Sequence, residues 1–191
     1  MESLTLENAA LLVVDVQKGI LQLPLAPHAG TAVLGNSSRL AEAFRSSRAP
    51  VALSSVAWAA DFSDALTQPV DRPLPMPEGG LPADWAELPG DLSVNGGDIV
   101  FTKRQWNAFY GTELDLQLRR RGIKTLVITG VATNMGVEST ARAAYDLGYQ
   151  LVFAEDAISS VSPEMHAFAF QTIFPMIGRV RTTEQIIAAL K

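Results

Sequence analysis

An α/β sandwich is the fold this sequence predicts: three layers, with a six-stranded, mainly parallel sheet between two layers of helices. Two observations carry the prediction. Short apolar runs alternate with helix-length amphipathic stretches, the beat of strands joined by crossover helices. The chain has 191 residues, 48% apolar and 18% charged, which suits one globular domain with a single sizeable core.

The elements follow in order. Ala9 to Asp15 is a continuous apolar run ending in an aspartate and reads as a first, fully buried strand. Residues 30–48 read as a helix, with Leu34, Leu40, Ala41 and Phe44 at roughly helical spacing. Pro50 introduces a second strand, Val51–Val56, and Asp98–Thr102 is a third. A helix then starts at Thr112 as cap, crowds Arg119, Arg120 and Arg121 into its last turn and stops at Gly122. Lys124–Gly130 is the strongest central strand. A helix over about 136–147 ends at Gly148, and Gln150–Ala154 is the fifth strand. Ser162 and Pro163 open another helix as cap and first-turn proline. A short strand near Gly178–Val180 precedes Thr182-Thr183-Glu184-Gln185, a capping box for the last helix. Six strands so spaced imply a Rossmann-like sheet, and sites in such sheets lie beyond the carboxyl ends of the strands.

Residues 58–97 break the beat. Six of the eleven prolines fall between Pro69 and Pro89, and Trp58 and Trp85 lie in the same segment. A connection this long is a lid, an oligomer contact or a packed surface excursion pinned by its tryptophans. There is no internal repeat and no second domain; residues 1–191 read as one unit.

Composition removes several function classes. Twenty acidic residues against fifteen basic ones leave a charge of −5, which disfavours a nucleic-acid groove or an anionic membrane as partner. Cysteine is absent, which excludes disulfides, thiolate metal sites and cysteine nucleophiles. The acidic start, Met1 to Glu7, resembles no targeting segment, and the apolar run behind it is too short to span a bilayer, so a cytoplasmic location is expected. His28 falls on a loop and His166 on a helix. Each read singly is a structural or solvated histidine rather than a ligand, so no metal and no cofactor are expected.

The candidate chemistry gathers at three strand ends. Asp15-Val16-Gln17 follows the first strand, Lys103-Arg104-Gln105-Trp106 the third, and Gly130 to Thr140 joins the fourth strand to its helix. Each alone is weak, since an aspartate there is often a turn former and a lysine a solvated charge. Together they resemble the isochorismatase-like hydrolase superfamily, also called the cysteine hydrolases. Its pattern is an Asp-x-Gln after the first strand, a lysine after the third, a Gly-Val-x-Thr-x-x-Cys-Val-x-x-Thr-Ala segment, and an Asp-Ala after the fifth. Those stand here as Asp15 with Gln17, Lys103, Gly130 to Ala141, and Asp156-Ala157. The long segment is highly specific, and the likeness runs over nearly the whole chain.

One position departs: Gly136 stands where most of the superfamily has its nucleophilic cysteine. Without a thiolate no acyl-enzyme of that kind can form. Ser139 and Thr140 lie about one helical turn further on and point elsewhere. The resemblance still implies a cis peptide between Val131 and Ala132 and an anion notch made by the amides of Ala132 and Gly136, with Gly136 opening a helix.

The isochorismatases proper also carry glycine there and cleave a vinyl ether, an aspartate protonating the enol carbon before water attacks. On that model the catalytic set is Asp15 as general acid, Lys103 as its electrostatic partner and Gly136 as backbone donor. Gln17, Trp58, Trp106, Phe109, Ala132 and Asn134 are the candidate substrate contacts, with core packing the competing role for Trp106 and Phe109. Burial would raise the Asp15 pKa and Lys103 would lower it, and the sequence leaves that contest open. Ala57 to Asp64 lacks the arginine with which those isochorismatases read carboxylates and the histidine with which zinc-bearing nicotinamidases hold their metal. Asp156 is expected to order its loop. The expected activity is hydrolysis of a small carboxylated or carbonyl substrate without a thiol intermediate; the competing expectation is a small-molecule-binding pseudoenzyme. A homo-oligomer is expected from the resemblance and from the apolar, proline-rich segment 69–90.

Overall fold

A computed structural model describes residues 8–74 and 76–190. The acidic start at residues 1–7, read above for targeting, lies outside the described residues. The strands are β1 (Ala9–Val14), β2 (Val51–Val56), β3 (Ile99–Lys103), β4 (Thr125–Val131), β5 (Gln150–Ser159) and β6 (Arg179–Arg181). They form one sheet in the order β3-β2-β1-β4-β5-β6, and all five pairings are parallel. The helices are α1 (Lys18–Leu21), α2 (Gly30–Ser46), α3 (Leu114–Arg120), α4 (Glu138–Asp146), α5 (Pro163–Phe168), α6 (Phe174–Ile177) and α7 (Thr183–Ala189).

β1 shows why the fold has three layers. All six of its residues are buried, and alternate ones serve different cores. Ala10, Leu12 and Val14 pack with Leu114 and Leu118 of α3, Ala141 and Ala144 of α4, and Phe174. Ala9, Leu11 and Val13 pack with Val33, Leu40 and Phe44 of α2 and Ile186 of α7. A strand that must satisfy two apolar layers reads as an unbroken hydrophobic run, as β1 and β4 do. The ends are set by local chemistry. The Ser162 hydroxyl accepts the Met165 N–H at the start of α5, and Thr182 and Gln185 close a reciprocal capping box on α7.

Four details differ from the sequence expectation. The turn before α4 is a single π-helical turn, Thr133–Val137, so Gly136 sits within the first helical turn rather than at its start. β5 runs on to Ser159, but its ladder with β4 jumps from Ile128–Phe153 to Gly130–Ile158, so Ala154 to Ala157 bulge out of register. Thr112 does not cap α3 as Ncap; its hydroxyl accepts the Leu114 N–H and donates to the Ala108 carbonyl one turn earlier. Short α1 and α6 were not anticipated, because four-residue helices carry too little periodicity to read.

Among its described residues the 58–97 segment has no strand and only a 3₁₀ turn at Gly90–Leu92. It folds back on the chain after β1: the Trp85 carbonyl accepts the Gly19 N–H, and the Glu87 carbonyl the Lys18 N–H. The Trp85 ring lies where a Gly19 Cβ would sit, 2.1 Å from its nearest ring atom, so only glycine admits it.

Candidate active site

The sheet order reverses direction between β1 and β4, and the crevice at such a point is where open parallel sheets bind ligands. Three strand ends meet there. Val14 is registered with Ser54 on β2 and Gly130 on β4, and Val56 of β2 with Lys103 of β3. Lys103 therefore reaches across the end of β2 to the residue that leaves β1.

That residue is Asp15, 4% exposed and at φ 51°. The Lys103 ammonium, itself 2% exposed, donates to Asp15 Oδ2 at 2.6 Å and to the Gln105 carbonyl at 3.0 Å. The Ser54 hydroxyl donates to Asp15 Oδ1 at 2.9 Å. Both carboxylate oxygens are thus held, one by a charge and one by a neutral donor. Burial raises the Asp15 pKa above its ordinary value; the Lys103 charge, its hydrogen bond and that of Ser54 pull the other way without overcoming it. The contest left open by the sequence is decided in favour of burial.

The turn after β4 forms the opposite wall. Gly130 at φ 121° passes so close to β1 that a Cβ would lie 1.9 Å from the Val14 carbonyl oxygen. The Val131–Ala132 peptide is cis. The Ala132 carbonyl accepts the N–H groups of Met135 and Val137, a pairing that passes over the Gly136 N–H between them. Gly136 is buried, and a Cβ there would stand 3.3 Å from Asp15 Oδ2. The vector a side chain would take from position 136 therefore points at the aspartate carboxylate.

The remaining candidates divide. Trp106, 48% exposed, stands free on the loop that carries Lys103. The Trp58 indole N–H donates to the Arg104 carbonyl, and Trp58 and Trp85 together with Phe62 and Pro82 line a cavity of about 270 Å³ beside the site loops. Phe109 instead packs on the core, its ring 5.8 Å from that of Tyr149. Asn134 turns outward, accepting from the Ser160 hydroxyl at 2.6 Å and facing the Met165 sulfur.

Gln17, expected as a substrate contact, is fully buried. Its amide accepts the Val56 N–H and donates to the carbonyls of Val56 and Trp85. Its polar atoms hold β2 and the 58–97 segment to the end of β1. Asp156 orders its surroundings as expected: Oδ1 accepts the N–H and hydroxyl of Thr183 at the start of α7. Sequence reading missed Ser54, although two serines inside the otherwise apolar β2 run are the signal that would have found it.

The family model described as the isochorismatase domain matches residues 9–185. The chain belongs to the isochorismatase family. It is 49% identical to the isochorismatase family protein YecD of Escherichia coli over 190 residues, covering all of both chains. It is 45% identical to the isochorismatase family protein YwoC of Bacillus subtilis, over 97% of this chain and 95% of that one. Among solved structures it resembles an isochorismatase family protein from Burkholderia thailandensis, with a TM-score of 0.92 and 42% identity over 99% of each chain. Among the described residues no helix is long and apolar enough to cross a membrane.

Proposed function

We propose that this isochorismatase family member hydrolyses a small carboxylated or carbonyl substrate without a covalent thiol intermediate. The observation that carries the reading is Asp15: buried, raised in pKa, and facing the backbone of a turn that begins a helix. A carboxyl whose pKa is raised by burial is suited to donate a proton, and general acid catalysis is worth about 10²–10⁴-fold. On this reading Asp15 delivers its proton to the substrate, Lys103 holds the carboxylate that remains, and the N–H groups of Ala132 and Gly136 receive the oxygen on which negative charge develops. Water then adds to the activated substrate, the bond to the leaving group breaks, and the proton that the water gives up returns to Asp15. Trp106 and Trp58 are the aromatic walls we assign to the substrate.

A binding-only pseudoenzyme is the second reading, and one observation favours it. Arg104, the arginine nearest Lys103 in sequence, donates to Asp64 at 2.6 Å and is not available to read a carboxylate. Both readings are tested by incubating the protein with isochorismate and with a panel of small amides and esters. The enzyme reading expects turnover (pyruvate, in the case of isochorismate) that survives thiol alkylation and is lost in Asp15→Asn. Ligand binding without turnover across the panel, or equal turnover by the variant, sinks it.

The same segment that bears the tryptophans exposes Leu66, Val70, Leu74 and Met76. We infer that this apolar run is covered in a homo-oligomer, and light scattering giving a monomer mass would refute it.

A further inference from the structure

Two histidines and a glutamate that the catalytic reading does not use come together at the bulge in β5. His28 follows the Ala26–Pro27 turn, Glu155 stands on the β5 bulge, and His166 lies on α5. The Nε2 atoms of His28 and His166 approach one oxygen, Glu155 Oε1, at 2.9 and 3.2 Å. The imidazole rings are 5.6 Å apart and inclined at 80°. Read singly from sequence, on a loop and a helix, the histidines gave no sign of this meeting.

We propose that His28, Glu155 and His166 form a binding site for a divalent transition-metal cation of the zinc class. Three features support it. The donor set, two imidazole nitrogens and one carboxylate oxygen, is the borderline set that zinc takes in sites that keep a fourth position open. The spacing fits: metal–donor bonds of 2.0–2.1 Å place tetrahedral neighbours about 3.3 Å apart. The two nitrogen–oxygen separations are already near that value, and all three ligand atoms lie within 4.8 Å of one another.

The outer contacts fit as well. Thr133 Oγ1 lies 2.9 Å from Nδ1 of the buried His166, so with Nε2 on the metal the Nδ1–H donates to the threonine hydroxyl and fixes the ring. Metal-bound histidines nearly always have such a partner. Access is open from one side only: the His28 and Glu155 side chains are 27% and 36% exposed, whereas that of His166 is 5% exposed. The fourth position therefore faces solvent, free for water or a carboxylate ligand. Thr133 also belongs to the π-turn that carries Gly136, so a cation here would brace one wall of the catalytic notch from behind.

The test uses the full chain after chelator treatment, titrated with zinc chloride by calorimetry and with cobalt chloride by visible absorption. The expected result is one saturable Zn²⁺ per chain and the intense visible band of four-coordinate Co²⁺. His28→Ala and Glu155→Gln should each weaken zinc at least 100-fold. Thr133→Val should weaken it about 10–100-fold, the usual cost of an outer-contact loss. His28 is partly exposed on a loop, and circular dichroism verifies that its variant folds. No saturable zinc binding by the wild-type chain overturns the proposal. So does wild-type affinity in both His28→Ala and Glu155→Gln, and the trio is then a hydrogen-bonded cluster alone.

Discussion

Two carboxylates, one leaving β1 and one on the bulge of β5, meet opposite fates. Asp15 is buried against one ammonium and one hydroxyl, and its pKa rises because desolvation outweighs both. Glu155 is half-open to water. Burial would raise it too, yet hydrogen bonds and charge from His28 and His166 outweigh that and hold it below its ordinary value. The number of partners does not set the direction; the amount of water they displace does. The fold thereby shifts one carboxyl towards its acid form and the other towards its anion, which is how environment divides roles between chemically similar groups.

The strongest attack on this contrast is Asp15→Asn, which removes the proton donor while keeping the shape. Activity should fall about 10²–10⁴-fold, measured as kcat on whichever substrate turns over. Stability should fall as well, because the buried Lys103 ammonium loses its carboxylate, a loss of about 3–5 kcal/mol for a broken buried pair. A variant that keeps wild-type kcat would show that Asp15 is a structural anion like Glu155.

Lys103→Met takes away the charge and leaves the acid. Asp15 should then titrate higher still, so the limb on which activity falls with rising pH should move upward. The stability signature has a definite sign. A carboxyl whose folded pKa exceeds its unfolded one binds more protons when folded, so stability falls as pH rises from the unfolded value through the folded one. The wild type should show that slope, and Lys103→Met should extend it to higher pH in denaturant titrations. An unchanged limb would mean that another group governs the pH dependence.

Much of this was legible before any coordinates. β1 and β4 announce themselves because a doubly buried strand has no polar face to confuse the period. The turn after β4 was legible because Gly130 to Ala141 resembles a specific family segment, and the cis peptide at Val131–Ala132 lies where that resemblance implies it. The partners of Gln17 were illegible for a physical reason: a buried amide and a ligand-binding amide look alike in sequence, and only the fold brings Val56 and Trp85 to it. The His28–Glu155–His166 cluster was illegible because its members are 11 to 138 residues apart. The bulge that projects Glu155 is a register event between two strands, and no single run of sequence contains it.

Gln17→Ala tests how dryness is maintained. Losing the amide frees the Val56 peptide and leaves the Trp85 carbonyl with the Gly19 N–H alone. Unsatisfied buried polar groups cost about 1–3 kcal/mol, so in a chain of this length Tm should drop by about 2–12 °C. Water admitted beside Asp15 should lower its pKa, moving the activity limb downward, opposite to Lys103→Met. An upward move would show that Gln17 does not keep the site dry.

Ser54→Ala is the smallest and sharpest probe, because it removes one neutral donor from Asp15 and almost no volume. The hydrogen bond to Oδ1 favours the ionised form, so its loss should raise the Asp15 pKa, by less than the loss of Lys103 does. The hydroxyl also accepts the Asp15 N–H, which keeps the Ser54 carbonyl as a second partner, so the backbone at Asp15 should hold. Stability should change by about 1 kcal/mol, the net worth of one such bond. The upward shift of the activity limb should exist, keep the same sign as in Lys103→Met and be smaller. A shift equal to that of Lys103→Met would mean that the ammonium acts mainly as a hydrogen-bond donor. In that case charge would contribute little to the contrast between the two carboxylates.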